Sequence, residues 1–396
     1  MERLEQPVLR DMVLVGGGHS HVVLLRNFGM RPMPGVRLTL ICTDVHTPYS
    51  GMLPGYVAGH YGFDEVHIDL SRLAMFAGAR FIAAEVTGID RAARRVMVRG
   101  RPPVAYDRLA INIGATPQWG QVAGAREHAL AVKPIFHFNQ RWLALLERVR
   151  RHSSPTTIAV VGAGAGGVEL LLAMQYRLGR ELRLLGRDPG DLAFHLFSAD
   201  ANILSTHNPG VRRRFEAVLQ ARNVRVHRGA PVDEVTQGRL HAANGGWVNA
   251  DEIVWVTRAG GAAWLRDTGL ALDSEGFILV NDSLQSVTDP LVFAAGDVAS
   301  MQNHRLEKAG VFAVRMGRPL ADNLRRSVTH QPLVPYRPQR RWLALISTGD
   351  RYAVASRGAV GFAGHWVWRW KDWIDRRFMR RHGEFPATGA GRAPAD

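Results

Sequence analysis

Two stretches of the chain share one hydrophobic pattern. Met12–Leu25 reads MVLVGGGHSHVVLL and Thr157–Met174 reads TIAVVGAGAGGVELLLAM. Each opens with a β-rich apolar run, passes through clustered glycines and stays apolar at helical spacing. That order predicts a strand, a tight turn and a helix. Apolar runs recur after both units. Val36–Cys42 follows the first, and Phe194–Ser198, Val224–His227 and Ile253–Thr257 follow the second. Strands alternating with helices predict α/β architecture, with doubly wound parallel sheets in two dinucleotide-binding domains. Between the units Phe138–Arg150 has the period of an amphipathic helix, and His152–Thr156 (HSSPT) reads as a polar linker. Phe277–Val280 and Leu291–Ala295 are expected to return as strands of the first domain. A smaller region starts near Pro332 and ends in a Gly-, Ala- and Pro-rich tail expected to be disordered.

The glycine clusters carry the first candidate chemistry. A dinucleotide pyrophosphate needs close approach of backbone N–H groups and a helix N-terminus beneath it, and glycine permits both because it lacks Cβ. Gly162, Gly164 and Gly167 fill the Rossmann pattern G-x-G-x-x-G, while Gly16-Gly17-Gly18 supplies G-x-G with His21 at the sixth position. A small residue there lets helix and strand pack closely, so His21 is a departure. A glycine turn without a ligand explains the first cluster equally well when it is taken alone. Neither unit has the ribose-binding acid at the end of its second strand. Cys42 and Ser198 stand there, with Asp44 and Asp200 two residues on. No Arg beside Ser198 awaits a 2′-phosphate, so NADH and NADPH both remain open.

Composition narrows the classes. The 396 residues are 46% hydrophobic and 21% charged, as in soluble globular chains of roughly two to three domains. The formal net charge of +15 favours anionic partners. Cys42 is the single cysteine, which excludes a disulfide or a Cys-rich metal site within the chain. Redox chemistry would therefore need a bound cofactor. His19 and His21 lack a third ligand nearby, so no metal is expected. G-x-S-x-G and H-E-x-x-H are both absent, which leaves hydrolase readings without a foothold. The N-terminus lacks a signal pattern, and the cytoplasm is the expected compartment.

One helical stretch stands apart. In His365–Arg381 (HWVWRWKDWIDRRFMRR), Trp366, Trp370, Trp373, Ile374 and Phe378 share one face. Arg369, Lys371, Arg376, Arg377, Arg380 and Arg381 lie mostly on the other. An interfacial membrane helix and a helix docking its Trp face on the protein body ask for the same pattern. No nucleic-acid partner is expected, because the aromatics gather together instead of being interleaved with cations.

Further motifs lie between and after these units: TPYSGMLPG (Thr47–Gly55), YDRLAINIGATP (Tyr106–Pro117), Glu169 and VFAAGDVA (Val292–Ala299). Together the order resembles the pyridine nucleotide-disulfide oxidoreductase superfamily of flavoproteins, from Met12 to about Arg381. Within it, the chain is similar to the type II NADH dehydrogenase-like branch related to the N-terminal domain fused to selenide, water dikinase. The resemblance implies an FAD-binding domain over 8–125 and 270–330, with a NAD(P)H-binding domain over 126–269 inserted in it. A C-terminal region over 331–383 and a tail over 384–396 would follow. Gly16, Gly17, Gly18 and His19 would line the FAD pyrophosphate, and Pro48, Tyr49 and Ser50 would lie near the isoalloxazine. Val86 would meet the adenine, and Ala115 and Thr116 would form the flavin-side crossover. Gly296 and Asp297 would serve the ribityl or phosphate end. Lys308, Ala309, Gly310 and Val311 would begin the helix facing the pyrimidine ring. NAD(P)H would lie on Gly162, Gly164 and Gly167. Glu169 would be catalytic where nicotinamide meets flavin, or else a helix-start acid held by the dipole.

The superfamily's disulfide reductases need a Cys pair that this chain lacks. The implied activity is hydride transfer from NAD(P)H to FAD and onward electron transfer, to a quinone foremost. The alternative is a low-turnover FAD-binding scaffold or redox partner associated with selenium metabolism. The branch's membrane-binding helices fall where the Trp/Arg helix lies. Peripheral placement on the inner face of the cell membrane fits that, and a homodimer is compatible.

Overall fold

The computed structural model describes residues 7–120, 122–133, 135–257 and 259–385. The first apolar run forms the strand Arg10–Val15, paired in parallel with Val36–Cys42 on one side and Arg108–Ile111 on the other. Arg80–Ala83 and Val292–Ala294 complete a five-stranded parallel sheet at its two edges. Met12, Val13, Leu14 and Val15 are all buried. Both faces of the strand are covered, which is why it reads as a continuous apolar run without alternation. Helix α1 (His19–Met30) follows the first glycine turn.

The second unit repeats this plan. Its sheet runs Leu130–Ala131, Glu252–Trp255, Thr156–Val161, Leu192–Phe197, Arg225–His227, again parallel. Helices α2 (Ile135–Arg151), α3 (Ala165–Leu184) and α4 (Pro209–Ala221) belong to it. Phe138, Trp142, Leu145 and Val149 of α2 pack with Leu171, Leu178 and Leu182 of α3. Leu53 and Val57, from the segment after TPYSG, join the same core. The two units are also joined by Thr116–Pro117, paired antiparallel with Ala259–Gly260.

Helix α5 (Gly310–Val328) returns to pack on α1. Of the two runs expected to return to the first domain, Val292–Ala294 joins its sheet. Ile278–Val280 pairs with Ala299–Met301 in a two-stranded ribbon, with bridges from Leu272 and Ser286, and its Ile278 and Val280 pack in the same core as the first sheet.

The C-terminal region is an antiparallel sheet of Ala344–Ser347, Ala353–Arg357 and Val360–Gly364, then helix α6 (His365–Gly383). Of the two readings open for α6, docking of the Trp face on the body is met in part: Phe378 stacks on Tyr49. Val367, Asp375 and His382 are buried, whereas Trp366 and Trp373 are 57% and 51% exposed. The body also offers partners to the polar face. The Tyr61 hydroxyl donates to Asp372 at 2.7 Å and Arg376 pairs with Glu65 at 2.7 Å. The expected tail starts too early. Phe385 stacks on Phe76 with ring centroids 4.8 Å apart, and the Glu384 carbonyl accepts from Arg26. The rest of that tail, 386–396, lies outside the described residues. No described helix is long and apolar enough to cross a membrane.

Candidate functional site

The two glycine turns are built alike. Gly16 donates its N–H to Ile41 and Gly162 donates to Phe197, each the next strand of its own sheet. Both have positive φ, +94° and +115°. A Cβ would meet the Asn112 carbonyl oxygen at 2.5 Å in the first and that of Val256 at 2.4 Å in the second. Only glycine fits such left-handed, crowded backbone. Helices α1 and α3 then start at Gly18 and Gly164 with no side-chain cap and no acid in the first turn. By contrast α4 is capped by Asn208. Asn112 Oδ1 takes the His21 N–H of α1, and helix starts whose N-cap residue offers no side chain leave other N–H groups and the positive dipole end to an anion. A Cβ at Gly164 would meet nothing within 4 Å, so space lies open before α3.

The turns differ at the sixth position. A Cβ on Gly167 would lie 1.8 Å from the Gly162 carbonyl oxygen. In the first unit the matching carbonyl, that of Gly16, accepts a 2.7 Å hydrogen bond from Nδ1 of His21. The His21 ring thus replaces close helix–strand packing with a hydrogen bond to the same oxygen. A carbonyl only accepts, so Nδ1 carries the proton, and the buried Nε2 has no partner among the described residues. Desolvation lowers His21 to about 4. A depressed histidine stabilises the fold above its unfolded value near 6.5 and loses that contribution as pH falls through 4. His21→Ala should therefore cost roughly 2–4 kcal/mol at pH 7 and less at pH 4.5. Urea unfolding at the two pH values checks this; an equal deficit at both would contradict it.

Asn112 was not anticipated. Its carbonyl accepts from Gly18 N–H at 3.0 Å, its Oδ1 from His21 N–H at 3.2 Å, and its Nδ2 donates to Ala295. It ties the first glycine turn to the chain entering Gly296-Asp297. Its only sequence signal is a lone polar residue directly after the apolar end of a strand.

The expected flavin-side residues fall around α1, α5 and α6. Tyr49 stacks on Phe378 at 4.4 Å and meets the His19 ring edge-on at 5.4 Å. Desolvation lowers His19 to about 4, against the upward pull of Asp297. Asp297 pairs with Lys133 at 3.0 Å. A Cβ at Gly310, the first residue of α5, would come within 3.2 Å of Ser50 Oγ. Ala309 caps α5 without a side-chain bond. Lys308 donates to the Ala299 carbonyl and sits 3.8 Å over the Phe277 ring. Pro48 closes the strand His46–Pro48 beside Tyr49. Ala115 is buried, and Thr116 Oγ1 donates to Gly260 at 3.1 Å. Val86 is buried and pairs with Val98, apart from this cluster in the contacts it makes.

Glu169 lies one turn into α3. Its Oε1 accepts from Ser347 N–H at 2.8 Å. Burial raises its pKa, opposed by Lys371. Lys371 is 12% exposed, donates to the Gly51 carbonyl and pairs with Asp375 at 2.7 Å. Burial pulls Lys371 down, but Asp375 and Glu169 outweigh it and hold the amine protonated. Lys371 thus faces Glu169 of α3 through space and hydrogen-bonds Gly51 in the Tyr49–Gly51 segment. Lys371 was read as one member of a solvated basic face, and nothing in its spacing marks it as different.

The pyridine nucleotide-disulphide oxidoreductase family model matches residues 10–317. NADH dehydrogenase-like protein YutJ of Bacillus subtilis is 25% identical over 303 residues, 74% of this chain and 78% of its own length. Demethylphylloquinone reductase NdbB of Synechocystis is 23% identical over 285 residues, 69% of this chain and 68% of its own. Among solved structures, NDH2 from Plasmodium falciparum in complex with NADH superposes with a TM-score of 0.81 at 14% identity. That match covers 94% of this chain and 99% of the other. Sulfide:quinone oxidoreductase from Aquifex aeolicus gives 0.78 at 18% identity, over 96% and 93%. Glycines shaped for pyrophosphate, uncapped helix starts and a repeated parallel sheet agree with that match. The chain belongs to the pyridine nucleotide-disulphide oxidoreductase family, as an FAD-dependent NAD(P)H oxidoreductase of the type II NADH dehydrogenase-like branch.

Proposed function

We propose that this chain oxidises NAD(P)H and passes the electrons to a quinone. The observation that carries the reading is Lys371, which donates to Gly51 and faces Glu169 of α3 through space. It sets the helix start of the second glycine turn against the segment expected to flank the flavin. FAD, when bound, supplies the hydride-accepting ring and the electron store. The remaining work is positioning. Gly16, Gly17, Gly18 and His19 hold one pyrophosphate, and Gly162, Gly164 and Gly167 the other. Pro48, Tyr49 and Ser50 with Lys308, Ala309 and Gly310 frame the ring, while Gly296 and Asp297 hold the ribityl or phosphate end. Ala115 and Thr116 form the crossover, and Val86 meets the adenine. Glu169, its pKa raised by burial and opposed by the Lys371 ammonium, would face the place where nicotinamide meets flavin. The domains follow the two sheets, 8–125 with 270–330 and 126–269.

Anaerobic mixing of the yellow protein with NADH and with NADPH should bleach the flavin, and a soluble quinone should restore the colour within turnover time. Bleaching by neither nucleotide would overturn the reading. Bleaching without quinone turnover would favour the low-turnover redox partner instead.

The exposed face of α6 supports peripheral contact with a bilayer. Trp366 and Trp373 point outward, Phe362 stacks on Trp366 at 5.2 Å, and Arg369 and Arg377 flank them, exposed. Indole rings beside arginines suit the headgroup interface. Trp366→Glu with Trp373→Glu should abolish sedimentation with anionic vesicles and lower the melting temperature only slightly, since more than half of each residue is exposed. Unchanged sedimentation would refute the contact.

A further inference from the structure

We propose that Lys133 is a positioning residue for the flavin, supplying the charge that lets Asp297 share its site with a pyrophosphate. The inference rests on the assignment of FAD to the first glycine turn. Lys133 lies between the strand Leu130–Ala131 and α2, at the entry to the second unit. It crosses to the first unit and pairs with Asp297 Oδ2 at 3.0 Å. Both groups act on His19, at the start of α1: Asp297 raises its pKa and Lys133 lowers it. The three residues therefore form one electrostatic cluster at the helix start that would meet the phosphates.

The cluster has a charge problem, and Lys133 is the cation in direct contact with Asp297 among the described residues. A pyrophosphate brings two negative charges and Asp297 adds a third, in a region that the cofactor itself would close to water. His19 stays neutral at pH 7, since desolvation holds it at about 4. Lys308 feels Asp297 through space, but its ammonium is turned to the Ala299 carbonyl and the Phe277 ring. The α1 dipole contributes about half a charge. Lys133 offsets the carboxylate. Its side chain is 43% exposed and that of Asp297 17%, so in the flavin-free protein water screens the pair and it adds little to stability. Once a ligand covers it, the same pair acts in a lower dielectric. The two situations separate a role toward the cofactor from a merely structural one.

The test follows FAD release from the holoenzyme by recovery of free-flavin fluorescence on dilution, beside thermal melting of the flavin-stripped protein. Lys133→Met should weaken FAD retention by about tenfold and leave the stripped protein's melting temperature unchanged. Lys133→Arg, which keeps the charge, should stay within about threefold of the parent. The double variant Lys133→Met with Asp297→Asn should release FAD little faster than Asp297→Asn alone, because the unpaired carboxylate is gone. A Lys133→Met protein isolated colourless beside a yellow Lys133→Arg protein counts as the expected result in its extreme form. Parental retention in Lys133→Met, or independent multiplying effects in the double variant, overturns the proposal. A parent protein that binds no FAD would instead overturn the assignment of the first glycine turn.

Discussion

Gly164→Val should give a protein that is folded and yellow yet no longer reduced by NAD(P)H. Gly164 has φ −71° and ψ 179°, ordinary extended backbone that valine adopts readily. Its Cβ would meet no protein atom within 4 Å, so folding stability should stay within roughly 0.5 kcal/mol of the parent. The added methyls would occupy the open space before α3, where a pyrophosphate must touch backbone. Nucleotide affinity should fall roughly 100-fold, about 2.7 kcal/mol. Flavin content and reduction by dithionite should not change. Gly162→Val makes the contrast. There φ is +115° and the Cβ would press to 2.4 Å from the Val256 oxygen, so the second unit itself should be damaged. If Gly164→Val bleaches with NADH at the parental rate, the second turn is not the nucleotide site.

The second large effect is expected at Lys371. Removing one partner of a buried ion pair costs about 3–5 kcal/mol, because the remaining charge is left without compensation. Lys371→Met would leave two carboxyl groups, Glu169 and Asp375, buried without the cation. Glu169 is already raised by burial, with Lys371 pulling it down, so its rise should grow in the variant. An acid raised by folding stabilises the protein below its unfolded value near 4.3, and the contribution disappears as pH rises through the folded value. The deficit of Lys371→Met should therefore be larger at pH 8 than at pH 5. Adding Glu169→Gln should return part of the loss at pH 8. Urea unfolding of the parent, the single and the double variant decides the matter. A deficit independent of pH, or no recovery from Glu169→Gln, would mean that the two groups are not coupled.

Much of the plan was legible because the relevant physics is local. A glycine that must take positive φ against a neighbouring strand has no substitute, so Gly16 and Gly162 show through the sequence. Strands buried on both faces, such as Arg10–Val15, show as unbroken apolar runs. What could not be read depends on partners far away in the chain. Asn112 matters because it reaches Gly18, His21 and Ala295 at once, and a single polar letter after a strand carries none of that. Lys371 looks like its exposed neighbours until Gly51 and Asp375 are placed around it. For α6, docking splits the apolar stripe: Phe378 packs on Tyr49 while Trp366 and Trp373 stay exposed. Helical spacing reveals which residues share a face, but Glu65, Tyr61 and Tyr49, far away in the chain, decide which of them turn inward. His21 departed from the motif, yet its ring reaches the carbonyl that a third glycine would have approached.

The embedding of α6 also constrains how the molecule is born. The segment around Tyr49 is completed by Phe378 and Lys371, and the first sheet needs Val292–Ala294 at its edge. Residues made early in synthesis thus wait for residues made near its end. Vectorial folding on the ribosome can begin with the second sheet, but Ile346 and Val354 complete its core, and the amino-terminal half stays unsealed until almost the whole polypeptide has emerged. Capture of the prosthetic group is then a late, post-translational event, and nascent chains stalled before residue 371 should carry none.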